Sequence, residues 1–524
     1  MKASSKIGIV FVFVVMGFAL SASATDIYFD LAPTGSNNGA NCANARAYSS
    51  MTSTDYTPGN VLHICGTGTA ALGATPITIQ GSGASGNPVT LKFETGAVLQ
   101  SPRFGSATSG AITCSGKHDI VIDGGTNGII QNTANGSALA NHAASMGIYT
   151  SNCTNVEVKN LAIQHIYVNT DTTGAGSTNT GDIYFQGKST NNKVHDSTVN
   201  DARTGVWVDF DSGGDASNVQ IYNNQIGHHP WGINFGACNA SSTATNVVIH
   251  DNEFFDWNSW ATTSYHTDGI ILYNDADGGY TCSGLAPVDT YTIYNNYFHG
   301  TLGNGCPDCP TGHIACGERS ACTVYNNVMV DDNAYTCNGY VWLYAVGGPN
   351  YVYNNTIVGG SASNNVAYNL NASLGNSTKS HTAFYDNVTT GVGYAITDYN
   401  GSSITADIIA SDNNIWNRTS GPPQFEYNFG GSPTFVSYTT WTGSYGFDSH
   451  GSSNAPNLDG NYKPQTGSPA IGLGANLTSL GIPSLDLDRV GVARPASGPW
   501  DAGAYDASGA TAINPPSALT AVVH

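Results

Sequence analysis

The stretch NVQIYNNQI at residues 218–226 decides the fold, because its nine-residue frame recurs along the chain. It reads NVEVKNLAI at 155–163, NNKVHDSTV at 191–199, NVVIHDNEF at 246–254, TYTIYNNYF at 290–298, ACTVYNNVM at 321–329, PNYVYNNTI at 349–357, HTAFYDNVT at 381–389 and DIIASDNNI at 407–415. The fourth position falls at Val158, Val194, Ile221, Ile249, Ile293, Val324, Val352, Phe384 and Ala410, at intervals of 36, 27, 28, 44, 31, 28, 32 and 26. A period near 28 with insertions is the signature of a solenoid. In each frame apolar residues alternate, Asn or Asp follows, and a hydrophobic residue returns, which reads as strand, sharp bend, strand. Asn tolerates the left-handed backbone of such a bend, so Asn223-Asn224, Asn295-Asn296, Asn326-Asn327 and Asn354-Asn355 are expected to stack coil over coil.

A second mark is a glycine opening a short apolar strand, at Gly147, Gly205, Gly232, Gly269 and Gly339. Two strand starts per period fit a coil of short parallel strands. Leucine-rich and propeller frames are absent. Over residues 110 to 420 the two marks together resemble the pectate-lyase-like superfamily of right-handed parallel β-helices, so an all-β solenoid is expected. Residues 1–24 read as a signal peptide, 25–110 as an N-terminal cap and first coils, 111–440 as the β-helix, 441–510 as a closing segment and 511–524 as a tail or linker. Asn461-Tyr462, Ser468-Pro-Ala-Ile471, Asp486-Leu-Asp488-Arg489 and Asp501-Ala-Gly-Ala-Tyr505-Asp506 resemble the choice-of-anchor Q segment that closes secreted β-helix proteins.

Composition narrows the class. The 524 residues include 63 Gly and 28 Tyr, and only 10% are charged, which disfavours a helical protein with charged faces. The formal charge of −20 argues against nucleic acid or anionic lipid as a partner. Lys2, Lys6, an apolar run from Ile7 to Leu20 and Ala22-Ser23-Ala24 have the form of a cleaved export signal, and no later run is long enough to span a bilayer. The expected product is a secreted, extracellular or cell-surface monomer. Its 11 cysteines then suit disulfides better than zinc, with Cys42 and Cys65 a natural N-terminal pair.

The 44-residue interval between Ile249 and Ile293 is the largest departure from the period, with extra residues on both sides of the strand at Gly269. Long insertions on a regular scaffold are where function concentrates. Aligned on the glycine mark, His229 and His266 fall on adjacent coils, Asp268 directly precedes its glycine, and Trp231 lies below it. Arg203 precedes Gly205. Trp207, Asp209, Asn234 and Tyr273 share the outward parity, and such a polar and aromatic face suits sugar rings. Trp257 and Trp260 are expected on the wall of a cleft. Asp275 and Asp277 resemble part of a calcium loop, so calcium is the one metal suggested, with no cofactor required.

Resemblance to the superfamily implies an enzyme acting on extracellular polysaccharide. A hydrolase would use Asp268 as acid or base. His266-Thr-Asp268-Gly269 is similar to one polygalacturonase box, although the other boxes of that family are not found in order. A lyase would use His266 as base and Arg203 as a clamp on a sugar carboxylate, with His229 beneath. The alternative is a non-catalytic glycan-binding or structural surface protein.

Overall fold

A computed structural model of the chain describes residues 24–170, 179–211, 213–237, 241–257, 267–273, 289–300, 312–317, 320–330, 339–343, 349–360, 365–370, 381–398, 407–418, 420–421, 423–427 and 432–507. The described residues form a right-handed parallel β-helix, wound from a 24-stranded bent sheet and a 13-stranded second sheet. One turn runs from Thr204–Asp209 in the second sheet through Gln220–Tyr222 and Gln225–Gly227 in the bent sheet, and returns to the second sheet at Trp231–Gly236.

The expected interior column is present, because Val194 pairs with Ile221, Ile221 with Ile249, Ile249 with Ile293, Ile293 with Val324, Val324 with Val352 and Val352 with Phe384. Period-two alternation turns every such residue inward, where burying each contributes about 1.5–3 kcal/mol. The last frame is out of register with the expectation. The pairing shifts between Thr382 and Ala383, and Ser411, not Ala410, stands beside Phe384. The bend explains the slip, because Asn387 pairs through its side chain with Asn414 and that contact fixes the register.

The bend itself is a column of asparagines. Asn223, Asn295, Asn326 and Asn354 all take positive φ, between 48° and 57°. The next residue in each coil turns inward and donates its side-chain amide to the coil above. Asn224 bonds Asn252 at 2.9 Å, Asn252 bonds Asn296 at 3.0 Å, Asn296 bonds Asn327 at 3.0 Å and Asn327 bonds Asn355 at 3.0 Å. All five of these ladder side chains are buried, so each polar group finds its partner inside the column rather than in water.

The glycine mark has a steric cause. A Cβ on Gly232 would lie 2.5 Å from the Gly269 carbonyl and 2.9 Å from Cδ1 of Phe254, and one on Gly269 would lie 2.7 Å from Cε1 of Phe298. Here the second sheet passes too close to the bent sheet for a side chain. Gly339 stands one position earlier than its supposed equivalents, in the place of Gly312 and Asp268.

Both ends are covered. At the N-terminal end the Cys42–Cys65 disulfide and the Arg46–Asp55 ion pair at 2.7 Å hold residues that pack over the first coils. Cys114–Cys153 and Cys316–Cys322 are also bonded. At the other end the helix Tyr438–Gly443, capped by Ser437, lays Trp441 flat on Phe425 at 3.9 Å. The following segment runs back along the outside of the bent sheet. Leu477, Leu485 and Trp500 pack on Tyr325 and Tyr353, while Ala504 and Tyr505 pack on Val328 and Val330. Buried Arg494 fastens it by donating to Asn326 at 3.0 Å and to the Gly503 carbonyl at 3.0 Å. Among the described residues no helix is long and apolar enough to cross a membrane.

Candidate functional site

The outer face of the second sheet carries the polar and aromatic strip expected from parity. Register places Tyr149, Tyr184, Trp207, Asn234, Ile271, Ala315 and Trp342 in one outward row. Tyr184 stacks on Trp207 at 4.3 Å, and Tyr149 meets Tyr184 edge-on at 5.5 Å. The Tyr184 hydroxyl donates to Asp209 at 2.6 Å, the Tyr149 hydroxyl donates to Gln186 at 2.5 Å, and Gln186 returns an N–H to Tyr184 at 3.3 Å. Burial, with the Asp209 carboxylate adding to it, pushes the Tyr184 phenol far up, so it stays a neutral donor.

Beyond the C-terminal ends of these strands lies a groove of about 650 Å³, lined chiefly by Asn152, Gln186, Lys188 and Asp215 with Gly187 and Gly214 between them. The glycines are what make it a groove. A Cβ on Gly187 would lie 2.5 Å from the Asn152 side chain, and one on Gly214 would lie 2.6 Å from the Gly187 carbonyl. Partial burial works against the charge on Asp215, but hydrogen bonds from Ser217, Thr243 and Thr190 outweigh it and hold the carboxyl below the usual range. Lys188 is exposed. The groove therefore offers one ammonium, one firmly ionised carboxylate and two amides, joined through Gln186 to the ring stack.

Other expected residues cluster at the opposite edge of the same sheet. The Arg203 guanidinium lies 4.6 Å from the Trp231 ring and donates to Asn179 at 2.7 Å. Trp231 pairs with Asp268 on the next coil, so these three are neighbours. Asp268 is almost fully buried. Strand geometry separates this edge from the groove by about 20 Å, so the structure divides the expected cleft in two. Asp209 and Tyr273 are also apart, with Gly236 on the coil between them.

Two expected surface residues are inside the coil. His229 is fully buried and its Nε2 lies 2.7 Å from Oδ2 of Asp182, which is equally buried. Burial pushes the imidazole down to about 3 and the carboxyl well up, so both are neutral and the pair is an interior hydrogen bond. Trp257 is buried too, edge-on to interior His313 at 5.5 Å, so it does not wall a cleft. Spacing from the glycine mark locates a coil position but not which way the side chain turns at a corner. His266, Trp260, Asp275 and Asp277 lie outside the described residues. Among the described residues no group of three or more His, Cys, Asp or Glu is placed to hold a metal.

Tyr149, Tyr184, Gln186, Asn152 and Asp215 are not among the residues expected from sequence. The signal for the tyrosines was available, since Gly147-Ile-Tyr149 sets Tyr149 two places after the glycine, as Trp207 follows Gly205. The groove itself had no signal, because it forms between turns 27 or more residues apart.

No family model and no curated protein matches the chain. Solved structures do resemble it. The crystal structure of pectate lyase Pel9A has 14% identity and a TM-score of 0.44, over 93% of this chain and 97% of that one. The PL6 family alginate lyase AlyGC has 12% identity and a TM-score of 0.44, over 72% of this chain and 47% of that one. The PL6 family polysaccharide lyase Pedsa3628 from Pseudopedobacter saltans has 12% identity and a TM-score of 0.43, over 78% and 92%. The architecture of this chain, a right-handed parallel β-helix, is shown by its own strand pairing.

Proposed function

We propose that the protein is an exported enzyme that binds an acidic polysaccharide on the outer face of the second sheet and cleaves it by elimination. The observation that carries this reading is the open groove at Lys188 and Asp215, joined through Gln186 to the Tyr184–Trp207 ring stack. Sugar rings present apolar faces to aromatics and hydroxyls to amides and carboxylates, and this surface supplies both. Cations are scarce, at 16 Lys plus Arg in the whole chain, yet Lys188 lies just past the end of the strand Thr180–Gln186 and Arg203 just before the strand Thr204–Asp209 of this sheet.

Elimination needs a base to take the ring proton beside a sugar carboxylate and a cation to stabilise the charge that develops there. The electron pair left by the proton forms the ring double bond as the bond to the glycosidic oxygen breaks. Lys188, as an ammonium, is the groove residue suited to the cation's task, the ionised Asp215 is the one suited to accept the proton, and Arg203 would hold a carboxylate further along the sheet. Hydrolysis would need a carboxyl group that keeps its proton and a second that activates water. At the groove, Asp215 is held ionised and Asp209 is occupied by the Tyr184 hydroxyl, which favours elimination.

The test is a panel of acidic and neutral polysaccharides followed at 232 nm, where an unsaturated product absorbs, with reducing ends measured in parallel. The reading requires absorbance with an acidic polymer and its loss in Lys188→Ala. Reducing ends without absorbance would assign hydrolysis instead, and binding without product would leave a glycan-binding protein.

A further inference from the structure

A second cluster of cations and rings lies on the other side of the molecule, where the returning C-terminal segment meets the bent sheet. The Arg489 guanidinium sits 5.2 Å from the Tyr297 ring and 5.9 Å from the Tyr505 ring, and donates to the Tyr505 hydroxyl at 3.0 Å. The Lys463 ammonium is 5.2 Å from the same Tyr505 ring. Tyr297 stacks on His299 at 4.4 Å, and Tyr462 approaches it at 6.4 Å. All but Tyr505 are partly exposed.

Tyr462 has an unusual backbone. Its φ is 65°, a left-handed conformation that a bulky side chain adopts at a cost of order 1–3 kcal/mol. The turn enforces it, since Asp459 accepts the Asn461 amide at 2.8 Å and the Lys463 amide at 2.9 Å. Glycine would serve such a turn without strain. Tyr297 and Tyr505 hold the planar fork of Arg489 in place, Tyr462 extends the ring surface past Tyr297, and the second terminal nitrogen of the fork is the one suited to a carboxylate. The carboxylate whose charge couples to Arg489 from the bent sheet is Glu253, and it is already engaged by His299 at 2.9 Å and Gln225 at 3.3 Å.

We infer that Tyr297, Tyr462, Lys463 and Arg489 form a second, non-catalytic docking site for acidic polysaccharide, on the bent sheet and separate from the groove. Charge complementarity selects this occupant, since a chain of net charge −20 repels an anionic polymer except where its few cations converge. Two sites on one rigid shaft raise the effective concentration of polymer at the groove.

The test is affinity electrophoresis of the full chain in native gels containing alginate, polygalacturonate or, as neutral control, dextran. Retardation by an acidic polymer should weaken about tenfold in Arg489→Gln and in Tyr462→Gly, with dextran causing none. Tyr462→Gly relieves the strained φ, so its thermal midpoint should hold or rise while binding falls, an outcome that a purely structural tyrosine does not produce. Retardation equal to wild type in both variants, or absent in wild type, would overturn the site. Lys188→Ala separates the two readings. It should abolish the 232 nm product and leave the part of the retardation that depends on Arg489, so either result can fail without the other.

Discussion

Asn414 donates its side-chain amide to Oδ1 of Asp448 at 2.8 Å and its backbone amide to the same oxygen at 3.1 Å, and there the asparagine column ends. Oδ2 of Asp448 takes the indole N–H groups of Trp416 and Trp441, each at 2.7 Å. One side chain thus closes both the polar column and the aromatic end of the coil.

Interrupting that column should be costly. Asn296 accepts from the backbone and side chain of Asn252 and donates to the Ile249 carbonyl, so Asn296→Ala leaves buried groups of that coil short of partners, whereas Asn327 keeps the Asn296 backbone amide. The expected loss is about 3 kcal/mol, read from chemical denaturation. Asn326→Ala, on the outer side of the bend, frees the Arg494 contact instead and should loosen the C-terminal segment first, detectable as early proteolysis after residue 440.

Gly232→Ala should destabilise by about 1–3 kcal/mol through overpacking. The clash with Phe254 is with a side chain, whereas that with the Gly269 carbonyl is with backbone. Adding Phe254→Leu should therefore recover only part of the loss, as measured by thermal midpoints of the single and double variants.

Asp386 sets a pH dependence. It is buried beneath the C-terminal segment, where it accepts the Ala475 amide at 2.8 Å, and burial raises its pKa from 3.8 to about 8. Arg494 lowers it in part and Asp412 raises it. The folded state binds this proton more tightly than the unfolded chain, so the contribution is complete below pH 3.8 and is lost as pH rises through about 8. Asp386→Asn should flatten the fall in stability between pH 5 and 9. Equal slopes in wild type and variant would show that the carboxyl does not titrate there.

If the proposed function holds, Trp207→Ala should raise KM for an acidic polysaccharide about tenfold with a smaller change in kcat, because a ring that stacks on a sugar would bind substrate and transition state alike. Asp268→Asn and Arg203→Ala, about 20 Å away, should affect long polymers more than short oligosaccharides. Initial rates on chains of graded length provide the measurement.

The nine-residue frame by itself determined the coiled winding, the interior column from Val194 to Phe384 and the stacking of the asparagine bends, because a repeated coil turns local periodicity directly into register. The glycine mark likewise determined which face of the second sheet is outward, and so the partial exposure of Trp207 and Asp209. Only the tertiary structure decided that His229 and Trp257 point inside, since the corner between sheets breaks period-two alternation and nothing in the spacing fixes a side chain's direction there. It alone brought Asn152, Lys188 and Asp215 to one groove and carried Arg489 back to Tyr297. These contacts join coils and segments far apart in sequence, and their partners are set by stacking and by the path of the returning chain rather than by any local pattern.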